Sequence, residues 1–323
     1  MINSFIFSEG KLAGRDLELE ALRLVRADKG LMMWVDLADP TDAEIKAVLE
    51  GVFQFHPLAI EDCVTPSSLP KIEDYEDYLF MVTHAVDFSR TDKFASTELD
   101  LFLGKDYLVT FHRTPLRSVT ALADRHTKNA GPGPRGPDRL AHSLLDLLVD
   151  NYAPMLLELH TELEEIEEIV LREASDKKLV TELLQVRGDF TKLRQILRPQ
   201  RDVIERLARG DSKMIRAVLL PYYRDLRDNL ARLEENLIGY QERLMMAFDI
   251  YLNKAAFEAN EGIKFLTALT AITLPAVLVG GWYGMNFEHM PELRSPNGYM
   301  YASLFTLIST VVMAIYLKKK KWF

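Results

Sequence analysis

The sequence predicts an α/β cytoplasmic domain joined to an all-α section that ends in two transmembrane helices. Three observations predict it. Residues 1–130 mix strand-forming runs with helical ones, a Gly/Pro break at 131–137 hands over to continuous helical spacing, and two charge-free apolar runs close the chain. Those runs, Phe265–Tyr283 and Tyr299–Leu317, are each about 19 residues, close to the roughly 20 that a helix needs to cross a bilayer.

In the first section, Leu31–Leu37 reads as a buried strand. Asp39-Pro40-Thr41-Asp42 then opens a helix, with Asp39 as its cap and Pro40 at its first position. A further helix opened by Pro57 carries Glu61 and Asp62. Leu79–Val86, Thr97–Leu103 and Tyr107–His112 are rich in strand formers, and the last two flank Gly104-Lys105 as a two-residue hairpin turn. A helix from about Pro115 to Lys128 completes an α/β/α layering around a mixed sheet.

Gly131-Pro132-Gly133-Pro134-Arg135-Gly136-Pro137 cannot be helix interior and marks a connector. An antiparallel helix pair over 138–212 follows. Its first helix runs from Leu140 to Leu171, Ala174-Ser175-Asp176-Lys177 makes the turn, and the second helix returns from Leu179. Glu158, Glu162, Glu164, Glu165, Glu167 and Glu168 give the first helix either a solvated face or a cation-concentrating one; counting charges does not decide between them.

The stalk, 213–262, carries Leu226, Leu230, Leu233, Leu237, Tyr240 and Leu244 at alternating spacings of four and three, a heptad seam. With no breaker before the membrane, a helix continuous from Met214 to Tyr283 would be on the order of 100 Å long. A single helix cannot bury its own seam, and a two-span hairpin encloses no pore. Both points predict a homo-oligomer arranged around one axis. The spans themselves are placed at 263–284 and 299–317, joined by the loop 285–298 and followed by a basic tail at 318–323.

Charge sets the topology. Lys318–Lys321 follow the second span and Lys254 and Lys264 precede the first, whereas the loop holds only Arg294 against Glu288 and Glu292. The positive-inside rule then places both termini in the cytoplasm and the loop outside, in a multi-pass inner or plasma membrane protein. Met1–Gly10 lacks the basic start and apolar centre of a secretory signal. One cysteine, Cys63, excludes an internal disulfide and a cysteine-rich zinc cluster, and a net charge of −9 argues against nucleic acid as a partner. No Walker-type phosphate loop or hydrolytic constellation is present, so neither an ATP-driven pump nor an enzyme is expected.

Tyr283-Gly284-Met285-Asn286, with Met290-Pro291-Glu292-Leu293, lies between the two spans and ahead of Lys318–Lys321 and Trp322-Phe323. In this position the chain resembles the CorA magnesium transport family. The similarity extends to Asn260-Glu261 and Lys264, to Pro221-Tyr222-Tyr223-Arg224-Asp225, and to His56-Pro57-Leu58-Ala59-Ile60-Glu61-Asp62, and it is weakest before about Leu31. It implies a funnel-shaped homopentamer in the bilayer, with the first span lining the pore and the N-terminal domain acting as a cytoplasmic sensor. Divalent cations are then its partners and Mg²⁺ is both cargo and regulator, with Co²⁺ and Ni²⁺ also carried.

Mg²⁺ sheds its water shell reluctantly, so a ring of neutral amide oxygens that hydrogen-bond those waters suits conduction better than carboxylates do. The resemblance assigns that ring to Asn286 and loop shaping to Gly284 and Met285. Glu288 and Glu292 either raise the local cation concentration or keep the loop soluble. Gly281, Leu274, Leu266, Ile263 and Asn260 match the family's pore line, although without the resemblance the leucines read as ordinary span packing. Val277 stands where the family leads us to expect Thr, making the mid-pore more apolar. Thr270 and Thr273 are nearby but read as off the line of Val277.

In the sensor, the resemblance has Asp62 and Asp225 meet across a subunit boundary to hold regulatory Mg²⁺, with Glu61 and Asp146 at a second position. Paired carboxylates repel unless a divalent ion lies between them, so ion binding would clamp neighbouring subunits in the closed state. The rival readings are a zinc transporter on the same fold and a membrane-tethered coiled-coil scaffold with an inert loop.

Overall fold

A computed structural model describes the chain apart from residues 29, 66–68, 87–95, 129–132, 173–176, 287–289, 321 and 323, and apart from the side chains of residues 177, 292 and 293. Glu288, the start of the 131–137 connector and the turn residues 174–176 therefore lie outside the described residues, as does the Glu292 side chain. The chain divides into two compact units, Met1–Glu168 with Lys178–Met245, and Ile169–Lys177 with Met246–Phe323.

The first unit is built on a mixed seven-stranded sheet. In chain order its elements begin with β1 (Ile2–Ser8), β2 (Lys11–Arg15), α1 (Leu19–Ala27), β3 (Met32–Ala38), α2 (Asp42–Ile45, continuing as a π-helical turn over Lys46–Val52) and α3 (Pro57–Val64). There follow β4 (Lys71–Tyr75), β5 (Tyr78–Val86), β6 (Ser96–Gly104), β7 (Tyr107–His112) and α4 (Arg117–Thr127). The strand order is β2-β1-β3-β7-β6-β5-β4. Only β3 and β7 pair in parallel; every other neighbouring pair is antiparallel.

Both faces of the sheet are buried. Met33, Val35, Phe80, Val82, Phe102 and Val109 point to one face, where they pack with Leu22 of α1, Val48 and Leu49 of the π turn, and Ala59, Ile60 and Cys63 of α3. The alternate residues Trp34, Met81, Leu99, Leu101, Leu103 and Leu108 are also fully buried. Helix α5 (Pro137–Asp150) lies over β3, β5, β6 and β7 and packs on α4. The predicted α/β/α layering is what the chain adopts.

Three local expectations need correction. The first helix of the sensor is capped by Thr41, not Asp39: Thr41 and Glu44 close a reciprocal capping box, and Asp39 instead takes φ 43°. The β6–β7 turn is Lys105-Asp106, one residue later than expected, because Gly104 still pairs with Tyr78. The helix read from Leu140 to Leu171 is two helices, α5 and α6 (Tyr152–Arg172), separated at Asn151. Pro154 has no N–H to give the carbonyl of Asp150, which breaks the ladder there.

Helix α7 (Lys177–Arg209) ends at Gly210, whose φ of 81° is the left-handed stop a glycine permits. Helix α8 (Leu220–Tyr283) starts later than Met214, after a 3-10 turn over Ala217–Leu219, and Pro221 sits in its first turn. As α7 advances through Arg194, Arg201 and Glu205, its α8 partners retreat through Gln241, Glu234 and Arg227, so the two helices are antiparallel. Helix α6 joins α8 through Arg243, which forks onto Glu167 at 2.6 and 3.1 Å, and through the tilted ring contact of His160 with Tyr240.

These contacts change the seam argument. Leu226, Leu230, Leu237 and Leu244 are already buried within one chain, so this part of the seam does not by itself demand other copies. In the second unit, α8 runs to Tyr283 and α9 (Gly298–Lys319) follows a 3-10 turn at Pro291–Arg294. Both helices are long and apolar enough to cross a membrane.

Candidate functional site: the helix-hairpin loop, the α8 stripe and the sensor carboxylates

Helix α8 ends in a tight turn. Gly284 N donates to Gly280 O at 2.9 Å, and Met285 N to Trp282 O at 3.4 Å. A Cβ on Gly284 would stand 2.8 Å from the Gly280 carbonyl oxygen, so only glycine closes the helix this way. Met285 and Asn286 are exposed beyond it. On the far side of the loop, Gly298 N donates to Ser295 O and Tyr301 N to Asn297 O, which starts α9.

The pore-line candidates share one stripe of α8. At 100° per residue, Asn260, Ile263, Leu266, Leu274, Val277 and Gly281 fall within about 120° of one another. All six are exposed, Ile263, Leu266 and Val277 at 63–65%. An apolar stripe left bare on a membrane-length helix requires lipid, a partner helix or a pore against it.

One position was misread. Thr270 lies seven residues before Val277, nearly two whole turns, which puts it only about 20° from Val277 on the same exposed stripe. The hydroxyl missing at Val277 is thus present two turns away. It bonds the Leu266 carbonyl of its own helix at 2.9 Å. Counting seven residues as two turns would have found it from sequence.

The sensor carboxylates fall into two places. Glu61 and Asp62 lie on α3, which the His56 side chain caps by accepting from Leu58 N at 3.2 Å, with Pro57 at the first position. Glu61 is exposed. Asp62 is half-buried and bound by Lys71 Nζ at 2.5 Å, and Lys71 also reaches Glu73 at 3.1 Å. Burial pulls the Lys71 ammonium down, but its bonds to Asp62 and Glu73 outweigh this and leave its pKa raised. Behind Asp62, burial pushes the Cys63 thiol well up, with help from the buried Asp100 carboxyl, which burial and Glu98 raise in turn.

Asp146 and Asp225 are on the opposite side of the sheet from α3. Both face His142, whose pKa is lowered by burial against the raising pull of these two carboxylates. Two anchors position them. His142 packs edge-on against Tyr222 and Tyr223, at 5.7 and 5.2 Å, and Arg139 lies over the Tyr222 ring at 4.3 Å. Tyr223 Oη donates to Asp138 O at 3.0 Å, and the buried Asp138 carboxylate accepts from Arg216 Nη2 and Nε at 2.6 and 2.7 Å. The start of α8 is thereby fixed to α5, with Asp225 exposed and Asp146 half-buried.

One chain therefore places Asp146 and Asp225 both within electrostatic reach of His142, and Glu61 and Asp62 on α3. Among the described residues, no three His, Cys, Asp or Glu side chains converge as a metal centre. On the acidic face of α6, Glu167 is paired with Arg243, and Glu164 lies 3.6 Å from His160, so the face is partly ion-paired within the chain.

Residues 29–319 match the family described as CorA-like Mg²⁺ transporter protein. The cobalt/magnesium transport protein CorA of Thermotoga maritima is 29% identical over 297 residues, covering 91% of this chain and 84% of that protein. The complete structure of the CorA magnesium transporter from Methanocaldococcus jannaschii superposes with a TM-score of 0.85 at 21% identity, covering 99% of this chain and 98% of that one. The structure of the full-length CmaX protein gives 0.80 at 20% identity, covering 99% and 97%. At these identities the two structural likenesses establish the fold.

Proposed function

The chain belongs to the CorA-like Mg²⁺ transporter family, whose members are transporters and not enzymes, and on that premise we propose that it is a Mg²⁺ influx channel that also carries Co²⁺ and Ni²⁺. The observation that carries the reading is the Tyr283–Asn286 turn capping a hairpin of two charge-free spans within a family match over residues 29–319. The membrane potential alone favours influx of a divalent ion by about 4.6 kcal/mol per 100 mV, so no fuel site is needed.

In this reading a homopentamer surrounds the stripe of α8. Asn286 presents its amide oxygen to the hydrated ion, held by the turn that Gly284 permits and Met285 continues. Leu266 and Leu274 are apolar constrictions that close by excluding water, Thr270 and Asn260 supply polar rings, and Ile263, Val277 and Gly281 complete the wall. Support comes from their shared, exposed face on one unbroken helix.

Regulation by Mg²⁺ rests on the two carboxylate groups that one chain holds on opposite faces of its sheet. Asp62, with Glu61, would meet Asp225 and Asp146 of the adjacent copy, and the ion would neutralise their repulsion. Asp62 already holds the Lys71 ammonium, so Mg²⁺ has to compete with a resident cation. This suits a sensor that responds at high ion concentration. Falling Mg²⁺ would release the clamp and favour opening, with both termini and the sensor on the cytoplasmic side.

The full chain in liposomes under an inward-negative potential tests the function. Mg²⁺ uptake blocked by hexaammine cobalt ion is expected. Zn²⁺ uptake without Mg²⁺ uptake would favour a zinc transporter, and no uptake of either ion would favour an inert scaffold.

A further inference from the structure

Helix α9 carries an open apolar groove that ends at exposed lysines, and we infer that groove and lysines together hold one anionic phospholipid. The groove, about 490 Å³, is lined by Ile308, Ser309, Val312, Met313 and Tyr316. Val312 and Tyr316 are 60% and 57% exposed, whereas Leu317 on the other side of the same turn is 5% exposed. The chain thus covers one side of this turn itself and leaves the groove side open.

Helical position joins the groove to charge. At 100° per residue, Lys319 and Lys320 emerge one turn beyond Tyr316, one to each side of it, so they straddle the end of the groove. Lys319 is the last helical residue and Lys320 its cap, and both are exposed. Neither forms an ion pair with another described residue. The order along the face is apolar groove, tyrosine hydroxyl, then paired ammonium groups. A phospholipid presents acyl chain, glycerol and phosphate in the same order.

Neither feature suffices alone. An apolar groove accepts any acyl chain and does not discriminate headgroups. A helix C-terminus is the negative end of the helix dipole, so an anion settles there only where cations overcome that field. The two lysines supply those cations, and the groove supplies an apolar anchor that a free phosphate lacks. The inference rests on α9 lying in the bilayer and not on ion transport, so its failure would leave Mg²⁺ uptake unaffected.

Native mass spectrometry of the detergent-purified full chain, titrated with phosphatidylglycerol, phosphatidylcholine and glycerol phosphate, tests it. Wild type is expected to bind phosphatidylglycerol about tenfold more tightly than phosphatidylcholine. Lys319→Gln/Lys320→Gln should reduce that preference to within about twofold. The Lys319→Arg/Lys320→Arg variant should keep it, which separates charge from a folding defect. Met313→Trp, which fills the groove, should weaken both lipids alike. Equal binding of the two lipids by wild type, a preference that survives the glutamine pair, or displacement by glycerol phosphate at equal concentration would each overturn the proposal.

Discussion

Asn286 follows a helix turn whose Gly284 backbone lies against the Gly280 carbonyl, so the amide is carried on a short, constrained arm next to the first span. A neutral oxygen in that place can exchange hydrogen bonds with the waters of a hydrated ion without holding the ion as a carboxylate would. Deeper in the span, Thr270 and Val277 share a line on α8, and the hydroxyl of Thr270 is satisfied by the Leu266 carbonyl. Rotation about one bond would let that hydroxyl keep the carbonyl or turn to an ion's water, which is how a serine or threonine serves both helix and pore. We predict that Thr270→Val slows Mg²⁺ uptake several-fold while Thr306→Val, on α9, leaves it near wild type. Uptake rates of the two variants in the same liposomes make the comparison, and equal rates would remove Thr270 from the pore wall.

At the scale of elements, α3 and α8 carry carboxylates proposed to sense Mg²⁺, and the edge strand β4 carries the lysine that pairs with one of them. Removing this resident cation should favour the ion. Lys71→Met is expected to lower, by several-fold, the Mg²⁺ concentration that protects the chain from protease, and Asp225→Asn to raise it. Limited proteolysis across a Mg²⁺ series reads both, and an unchanged midpoint in Asp225→Asn would dissociate that residue from sensing. β4 also shows where sequence reading fails. Of its residues only Ile72 is buried and the rest carry charge or a hydroxyl, so no alternation marks it. β2 is the other edge strand, with an equally weak signal. Of the five interior strands, β3, β5, β6 and β7 were legible as runs rich in strand formers, whereas β1, buried at Ser4–Phe7, was not. Pro40 suggested a helix start that the Thr41–Glu44 capping box moved, and Pro154 divided a helix whose apolar spacing ran on unbroken. Of the candidate site, the loop was legible from motif and position. The pairing of Asp62 with Lys71 was not, because it joins a helix to a strand that sequence did not reveal.

For the molecule as a whole, the strongest reason for several copies has shifted. The upper seam of α8 is buried by its own chain, while the stripe from Asn260 to Gly281 remains exposed on a membrane-length helix. Copies around an axis would turn that stripe inward, with the Asn286 ring at one end of the conduction path. Conduction through such an assembly requires a flux that depends on this amide. The most direct measurement is Mg²⁺ uptake by wild type and Asn286→Ala, reconstituted at equal density in liposomes under an inward-negative potential. Wild type should show rapid, hexaammine-cobalt-sensitive uptake, and the variant a loss of at least about tenfold, as expected when the polar groups that bond the hydrated ion are removed. Mg²⁺ uptake by Asn286→Ala at the wild-type rate, with the same sensitivity to the blocker, would contradict this dependence.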